Sequence, residues 1–373
     1  MKKNHLILGL VVLVALVALL FWGRSRSHFD FGLLRSQIAM ADWRRFGIAV
    51  LCIYLAYVIR GVRWALLMRH NKKVPLFSLV GTQVMGFTAV ALIGRVADLV
   101  RPYLVAKKTS EPLSSQIAVY IVERLFDAGS MALIFSVAMI WVPTDEILRA
   151  TAHSGPLAKL AVSHRDLAVL FARFGGLALT LFGALFMVAV RWAGGAVAAF
   201  SERALSPISK NLGQAVANKI RAFRAGLDTM RSFADFATTA GLSLGMWMII
   251  AYAYYDGCAA FVASPQLAAI SAPKTVLLMI ASGGASIIQL PVLGWFSQIG
   301  LVVVAIIGVL GASPEAATAC ATALLVVTFL SIIPAGLIWA QFEHVSLRKI
   351  TAESEHAGEK LTEAEPADSR VSP

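Results

Sequence analysis

Residues 117–142 read IAVYIVERLFDAGSMALIFSVAMIWV, an apolar stretch with three charged side chains in its first half. The stretch is longer than the roughly 20 apolar residues with which an α-helix crosses a bilayer. Tyr120, Glu123, Arg124 and Asp127 follow the spacing i, i+3, i+4, i+7, which places them on one broad helix face. An ionised side chain at bilayer depth costs roughly 2.5–3.5 kcal/mol on insertion scales, so such groups persist by pairing or by facing water. The stretch therefore predicts a membrane helix whose polar face lines an internal cavity.

The charged face also predicts particular ion pairs. Arg124 can pair with Asp127 one turn further on, which leaves Glu123 to find a partner on another helix. In an alternative interpretation, only 125–142 spans the membrane, and Glu123 and Arg124 anchor the helix at the interface. The two interpretations differ in whether the charges lie inside the protein or at the membrane surface.

The rest of the chain is also apolar. Hydrophobic residues make up 58% and charged residues 14% of its 373 residues, whereas a soluble protein has roughly a quarter charged residues. The composition argues against a secreted domain, a disordered chain and a cytosolic enzyme, and the formal charge of +12 suits anionic lipid headgroups better than nucleic acid. We expect an all-α polytopic membrane protein with about seven or eight transmembrane helices, the first an uncleaved signal anchor, and we leave an inverted repeat open. Runs of spanning length lie at 6–22, 46–66, 117–142, 168–190, 236–262, 296–312 and 316–340.

Two further apolar stretches, 76–94 and 275–292, are short and are interrupted by glycine or proline. Such segments often form broken or re-entrant helices around a transport site. If 76–94 enters and leaves on the cytoplasmic side, 18 Lys and Arg residues lie inside and 9 outside; if it spans, 11 lie inside and 16 outside. Because cytoplasmic loops carry the excess of positive charge, the count favours re-entry. A spanning arrangement with the N-terminus outside also restores the bias, but it places Lys2 and Lys3 outside.

The chain divides into a transmembrane domain, 1–340, and a polar acidic tail, 341–373, which we expect to be disordered. Within the domain, 191–235 carries seven Lys and Arg residues before Ser232, and several of them lie near apolar side chains. This pattern predicts a basic amphipathic helix at the cytoplasmic membrane surface. A solvated basic loop is the alternative interpretation.

Two more groups of arginines lie close to the apolar segments. Arg60 and Arg63 share one face at the end of the 46–66 run, and Arg95 and Arg101 follow the glycine-rich segment 76–94. The planar guanidinium fork suits phosphate. Snorkelling of arginine to the membrane surface at a helix end is the alternative for the first group, and a chance gathering of solvated loop charges is the alternative for all of them.

These stretches resemble the flippase-like integral membrane family that includes the transmembrane region of lysylphosphatidylglycerol synthases. The matching segments are RGVRWALL (60–67), GRVADLVRPYLVAKK (94–108) and VERLFD (122–127), in the family's order and spacing. The resemblance implies a multi-pass protein of the bacterial inner membrane that moves or handles polar lipids.

The chain departs from the family's pattern in two loops. In the first, Ala97 stands where the family has glycine, and Asp98 stands where it has the longer glutamate. The later loop, LPVLGWFSQ, keeps Pro291 and Gly294 but has Gln298 in the place of an acid. Because a carboxylate inside the membrane can carry a proton or select a headgroup, its loss argues against carrying over the family's proton coupling or headgroup selection to this chain.

We therefore predict a lipid translocase for a polar, anionic lipid, with a membrane phospholipid or another polar lipid as the partner and no nucleic acid, cofactor or metal. No soluble aminoacyl-transferase domain follows Ala340 and no catalytic motif is recognisable, so we expect no enzyme activity. The alternative is a non-transporting accessory subunit that binds a lipid-modifying or glycosyl-transferring enzyme through the basic 191–235 surface. The candidate substrate-binding residues are Arg60, Arg63, Arg95, Asp98, Arg101, Tyr120, Glu123, Arg124, Asp127, Pro291, Gly294 and Gln298.

Overall fold

The computed structural model describes residues 29–69, 74–145, 165–207, 232–285, 293–347 and 349–357, with a few positions between 209 and 217. Throughout these residues the regular structure is helical, which confirms the predicted all-α class. The predicted signal anchor, 6–22, lies outside them. The helices are α1 (Phe31–Ala39), α2 (Trp43–Met68), α3 (Leu76–Ile93), α4 (Val100–Thr109), α5 (Leu113–Ile140), α6 (Arg165–Leu205), α7 (Phe233–Ala259), α8 (Pro265–Ala268), α9 (Ala272–Ala285), α10 (Leu293–Leu310), α11 (Pro314–Leu325) and α12 (Ile332–Phe342).

Five described helical segments are long and apolar enough to cross a membrane. They are α2, α3, α6, α7 and the continuous run Pro314–Phe342 formed by α11 and α12. Helix α5 also has the length, but Glu123, Arg124 and Asp127 interrupt its apolar character. The chain is thus a multi-pass membrane protein, and the count of seven or eight crossings stays a prediction.

Polar side chains fix where the long helices begin. The Asp42 carboxylate accepts a hydrogen bond from the Arg44 amide at the start of α2. At the start of α7, the Ser232 hydroxyl accepts from the Asp235 amide, while the Asp235 carboxylate accepts from the Ser232 amide. These caps satisfy amides that have no partner within the helix, so α2 and α7 begin at defined positions. The two helices also pack along each other.

The segment predicted to be broken, 76–94, forms the continuous helix α3, and the break follows it at Gly94. Gly94 has a φ of 96° and a ψ of −168°, a region that is essentially restricted to glycine. A short 3₁₀ helix and α4 then carry the chain back along α3. At the far end of α4, the Lys108 ammonium lies 3.1 Å from the Thr82 hydroxyl near the start of α3. Helices α3 and α4 thus form a hairpin whose two ends lie together.

Helix α12 packs closely on α3 because both helices carry glycine at the crossing. A Cβ on Gly336 would lie 1.9 Å from the Thr88 hydroxyl oxygen, and one on Gly81 would lie 2.1 Å from the indole nitrogen of Trp339. Small residues let membrane helices approach in this way. Between α11 and α12 the helix widens to a π turn at Val326–Leu330, just before Pro334, as is common where the regular hydrogen-bond pattern is interrupted.

The C-terminal tail begins with packed structure, in contrast to the predicted disorder of 341–373. Residues 349–357 are helical, and Leu347 and Ile350 are buried in one cluster with Leu104 of α4. The Tyr103 hydroxyl donates to the Glu353 carboxylate across 3.0 Å. The tail's polar composition hid these few apolar contacts, and the domain boundary at 340 stays a prediction. Residues 358–373 lie outside the described part.

The predicted basic segment, 191–235, begins inside a helix. Helix α6 runs through Arg191 to Leu205, with non-helical backbone angles at Ala193. The other basic residues of the predicted segment, between 210 and 231, lie outside the described residues. The amphipathic surface helix therefore stays a prediction.

The close crossing of α3 and α12 predicts that Gly336→Ala is destabilising. The added methyl would meet Thr88, and overpacking of this kind costs about 1–3 kcal/mol. Gly308→Ala in α10 is the matched control, because no atom lies within 4 Å of its Cβ position and alanine favours a helix. The midpoint of thermal unfolding in detergent should fall for Gly336→Ala and stay level or rise for Gly308→Ala. Equal midpoints would contradict the packing described here.

Candidate functional site

Two carboxylates on α5 form the centre of a buried ionic cluster. Glu123 and Asp127 are one turn apart on the same face, and both are almost fully buried. Arg63 of α2, with 0% of its surface exposed, bridges them. Its Nη2 lies 2.5 Å from Glu123 Oε1, and its Nη1 lies 2.6 Å from Asp127 Oδ1. The planar guanidinium can hold two acids at once because its donors point in fixed, separate directions.

Two more arginines complete the ion pairs from other directions. Arg60, one turn before Arg63, places Nη1 3.2 Å from Asp127 Oδ2. Arg101 of α4 places Nη1 3.3 Å from Glu123 Oε2 and 3.2 Å from the amide oxygen of Gln83. Helices α2, α4 and α5 are therefore joined at one point, and the hairpin formed by α3 and α4 is tied to it.

Aromatic rings hold the same arginines in place. The guanidinium carbon of Arg101 lies 4.5 Å from the centre of the Phe87 ring and 4.8 Å from that of Tyr120. Arg60 lies 5.0 Å from the same Phe87 ring. Such contacts gain strength where water is excluded. Gly86 makes room for them, because a Cβ there would lie 2.1 Å from Arg101 Cγ.

Helix α7 adds neutral groups that the sequence analysis did not select. The Ser243 hydroxyl accepts from Arg63 Nη1 across 2.6 Å, and the Trp247 indole donates to Asp127 Oδ1 across 3.3 Å. Thr239, Ser243 and Trp247 follow the spacing i, i+4, i+8 and so share one face of α7, which was a signal that could have identified them.

Arg124 forms the predicted ion pair with Asp127, but this pair is longer than the pairs of Arg63. Its guanidinium lies 3.6 Å from Asp127 and 3.7 Å from Glu123, beyond hydrogen-bonding distance. Arg63 holds both acids more closely, because a side chain from the facing helix approaches their oxygens directly. About a third of the Arg124 side chain is exposed, yet its Nε and Nη2 are buried without a hydrogen-bond partner. The ion pair of Arg124 with Asp127 is thus longer than a hydrogen bond, and the arginine that lies closest to both carboxylates is Arg63.

A cavity of about 190 Å³ adjoins the cluster. Arg60 and Arg124 contribute to its lining from α2 and α5, and Asp98 contributes from the short 3₁₀ helix. Tyr254, Ser282 and Gln298 contribute neutral polar groups from α7, α9 and α10. The remaining walls are mainly apolar. At about 30 Å³ per water molecule, a cavity of about 190 Å³ has room for about six water molecules or a polar group of that size.

A larger apolar cavity of about 920 Å³ lies between α5, α7 and α9, and it is open to the protein surface where Trp141 and Met248 are exposed. The same three helices contribute Arg124, Tyr254 and Ser282 to the polar cavity. Its lining is almost wholly hydrocarbon and aromatic. A polar cavity and an apolar cavity therefore share three helices. The apolar lining is Leu133, Ile134, Val137, Ala138, Trp141, Leu244, Met248, Ala251, Tyr252, Tyr255, Ala272, Pro273, Thr275 and Val276.

The structure brings most of the predicted site residues together. Asp98 and Gln298 line the polar cavity, and Gly294 lies in the first turn of α10. The side chain of Arg95, and Pro291, lie outside the described residues. The members that meet in or around the ionic cluster are Arg60, Arg63, Arg101, Tyr120, Glu123, Arg124 and Asp127.

The snorkelling alternative for Arg60 and Arg63 is wrong. Both side chains are buried and paired with carboxylates of α5 rather than extended to a membrane surface. The sequence could not decide this, because snorkelling and buried pairing place arginine at the same helical positions.

The family profile described as the lysylphosphatidylglycerol synthase TM region matches residues 6–353. The chain belongs to this family. The match confirms the resemblance noted in the sequence, and it covers the ionic cluster, both cavities and most of the packed C-terminal stretch. A search of curated proteins and a search of solved structures each found no match. Membership of the synthase transmembrane-region family links the chain to membrane lipids.

The ion-pair geometry predicts that Arg63 is more important for folding than Arg124. Arg63→Met leaves two buried carboxylates short of their closest partner, and removing one side of a buried pair typically costs about 3–5 kcal/mol. Arg124→Met removes only contacts of 3.6–3.7 Å and should cost much less. Folded yield and thermal midpoint in detergent measure both. A greater loss for Arg124→Met would show that the cluster is assembled differently.

Proposed function

We propose that this protein is a lipid translocase of the bacterial inner membrane that moves a polar, anionic lipid between leaflets. The observation that carries the proposal is a cluster of three buried arginines, the partly exposed Arg124 and two buried carboxylates beside a polar cavity. Intramembrane ionisable groups are costly and commonly mark a transport pathway. The proposal requires no covalent step, so the protein would act without being an enzyme.

The two neighbouring cavities suit an amphipathic ligand. A phosphate would meet Arg60 and Arg124 in the polar cavity, where the arginines outnumber their acids. Acyl chains would fill the apolar cavity between α5, α7 and α9. A soluble anion would use only the first cavity, so the combination favours a lipid.

We also propose that the hairpin of α3 and α4 is re-entrant from the cytoplasmic side. Its two ends lie together, as the contact between Lys108 and Thr82 indicates, and the excess of positive charge favours the cytoplasm for both. In this arrangement the turn at Gly94 would lie within the membrane, where protein or water must satisfy its backbone.

The re-entrant hairpin predicts that positions 72 and 107 lie on the same side of the membrane. Single cysteines at Lys72 and Lys107, placed in a variant that lacks the three native cysteines, should react with the same impermeant reagent in oriented vesicles. A cysteine at Lys2 gives the expected cytoplasmic reference. Reaction from opposite sides would overturn the re-entrant arrangement.

The translocase proposal predicts that purified protein moves phosphatidylglycerol across the membrane of liposomes. A chain-labelled lipid in the inner leaflet should become accessible to a membrane-impermeant quencher. Arg124→Lys should slow this movement by about tenfold or more, because lysine keeps the charge but loses the planar set of donors. Arg173→Lys is the matched control: it replaces a partly buried arginine of α6 that does not line the polar cavity.

Failure of the native protein to move any labelled lipid would overturn the translocase proposal and favour the accessory-subunit alternative. Equal rates for native protein and Arg124→Lys would leave transport in place but remove the polar cavity from its pathway.

A further inference from the structure

Helices α9 and α10 form a pair of short helices. They pack along each other and contain 14 and 18 residues, fewer than α2, α7 or the run Pro314–Phe342. The chain between them, 286–292, lies outside the described residues. We call the start of α9 and the end of α10 the outer ends of the pair, and the end of α9 and the start of α10 its inner ends. The same terms apply to the α3–α4 hairpin, whose inner ends lie near Gly94.

The outer ends of the α9–α10 pair lie at the N-terminal end of the run Pro314–Phe342. Only three residues separate the end of α10 from the start of α11. The start of α9 packs against the end of α5, where Val276 and Met139 belong to one buried cluster. Helix α5 begins three residues after the α3–α4 hairpin, so its far end lies away from the outer ends of that hairpin.

The outer ends of the α3–α4 hairpin lie at the other end of the same run. The Lys108 ammonium forms an ion pair of 2.7 Å with Glu343, directly after α12. The centre of the Phe77 ring, in the first turn of α3, lies 4.5 Å from that of the Trp339 ring. Because the run Pro314–Phe342 is long enough to cross a membrane, the two pairs enter it from opposite sides.

The lengths of the helices show where the inner ends meet. Helix α3 rises about 22 Å from Leu76 to Ala91, and α10 rises about 22 Å between Trp295 and Leu310, at 1.5 Å per residue. The run Pro314–Phe342 has 29 residues and so rises about 43 Å. Each pair thus reaches about halfway, and there the Trp295 indole donates to the Ala91 carbonyl oxygen across 3.2 Å.

The polar cavity lies at the level of this contact. The long helices line it with residues from near their middles, namely Tyr57 of α2, Trp247 of α7 and Thr328 of the π turn. The two short pairs line it with residues from near their inner ends, Val90 and Ser282. The cavity therefore lies between two elements that enter from opposite sides. Transport sites near the middle of a membrane are commonly built from broken helices in this way.

The order of the elements also repeats with reversed direction. A long helix, a short pair and a second long segment follow one another as α2, α3–α4 and α5, and again as α7, α9–α10 and α11–α12. The contacts repeat too, since α3 packs on α12 and α9 packs on α5. The start of α2 meets the end of α7, where the Asp42 amide donates to the Ala260 carbonyl oxygen across 2.8 Å. This arrangement is typical of inverted repeats, in which access alternates between the two sides.

We propose that Trp295 is a positioning residue that holds the inner ends of the two opposed pairs together and so limits access to the polar cavity. When its hydrogen bond to Ala91 breaks, one pair can move away from the other and admit solvent or substrate from one side. The proposal rests on the proposed function in taking the cavity to lie on a transport pathway and α3–α4 to enter from the cytoplasm. The α9–α10 pair then enters from the periplasm.

The first test measures how deep the start of α10 lies in the membrane. A fluorophore on Phe296→Cys, in protein that lacks the three native cysteines, should be quenched best by lipids that carry a nitroxide deep in the acyl chains. Leu55→Cys at the middle of α2 gives the deep reference, and Phe233→Cys at the start of α7 gives the surface reference. All three side chains are exposed on the protein. Quenching at 296 like that at 233 would overturn the opposed arrangement.

The second test measures access to the cavity. Thr328→Cys places a thiol in the cavity lining, and its reaction rate with a small charged methanethiosulfonate reagent reports how often the cavity opens. Trp295→Phe keeps an aromatic ring and removes the indole N–H. The rate at position 328 should then rise by about three- to tenfold, the size expected for the loss of one hydrogen bond. If Trp295→Phe does not fold, Trp295→Leu removes the same donor.

Trp64→Phe is the matched control. The Trp64 indole also donates across 3.2 Å, to the side-chain oxygen of Gln116, but this bond joins α2 to α5 and neither residue lines the polar cavity. Its loss should leave the reaction rate at position 328 unchanged, whatever it does to the thermal midpoint. An equal rise in both variants would reflect general loosening and would overturn the positioning role of Trp295.

The outcomes separate this inference from the proposed function. A deep label at 296 and faster reaction in Trp295→Phe, without movement of any labelled lipid by the native protein, would overturn the translocase and leave the closed cavity. Lipid movement by the native protein, with an unchanged reaction rate in Trp295→Phe, would overturn the role of Trp295 and leave the translocase.

Discussion

The bridge from Arg63 to Glu123 and Asp127 is the interaction on which the rest of the structure depends. It places two carboxylates and a guanidinium in the interior of an apolar protein, where each alone would be strongly unfavourable. Once the bridge is formed, α2 and α5 have a fixed register. Arg101 then attaches the α3–α4 hairpin to the same carboxylate, so the cluster sets the positions of four helices.

Each of the two carboxylates in the cluster has more than one arginine partner, and the cluster contains more arginines than carboxylates. Arg63 satisfies both acids by direct contact, and Arg60 and Arg101 add further pairs. Arg124 remains beside them with two buried donors unused. Among the described residues, Arg124 brings the cluster to four arginines against the two carboxylates Glu123 and Asp127. An anion that enters the cavity would supply the compensation, which links the stability of the protein to the ligand that we propose.

Much of the site could be predicted from local spacing. The arrangement of Tyr120, Glu123, Arg124 and Asp127 on one helix face follows from the helical period, and the structure places all four around the cluster. The choice of partner could not be predicted in this way. Arg124 is nearer in sequence to Asp127, but Arg63 is nearer in space, and pairing between helices depends on how they pack. The position of the Arg101 side chain likewise depends on Gly86 of α3. The absence of a Cβ at Gly86 matters only because α4 folds back on α3 and brings Arg101 against it.

The apolar content, the helical class and the family can all be read from the order of the residues, because hydropathy and helical period are local properties. The packing of the tail beyond residue 340 could not be read in the same way, since it depends on two apolar side chains meeting α4. Nor could the hydrogen bond between Gln298 and Ser282, because the partners of a buried amide are set by how separate helices pack. Sequence specifies which groups are costly to bury, and three-dimensional packing decides which of them are paired and with which partners.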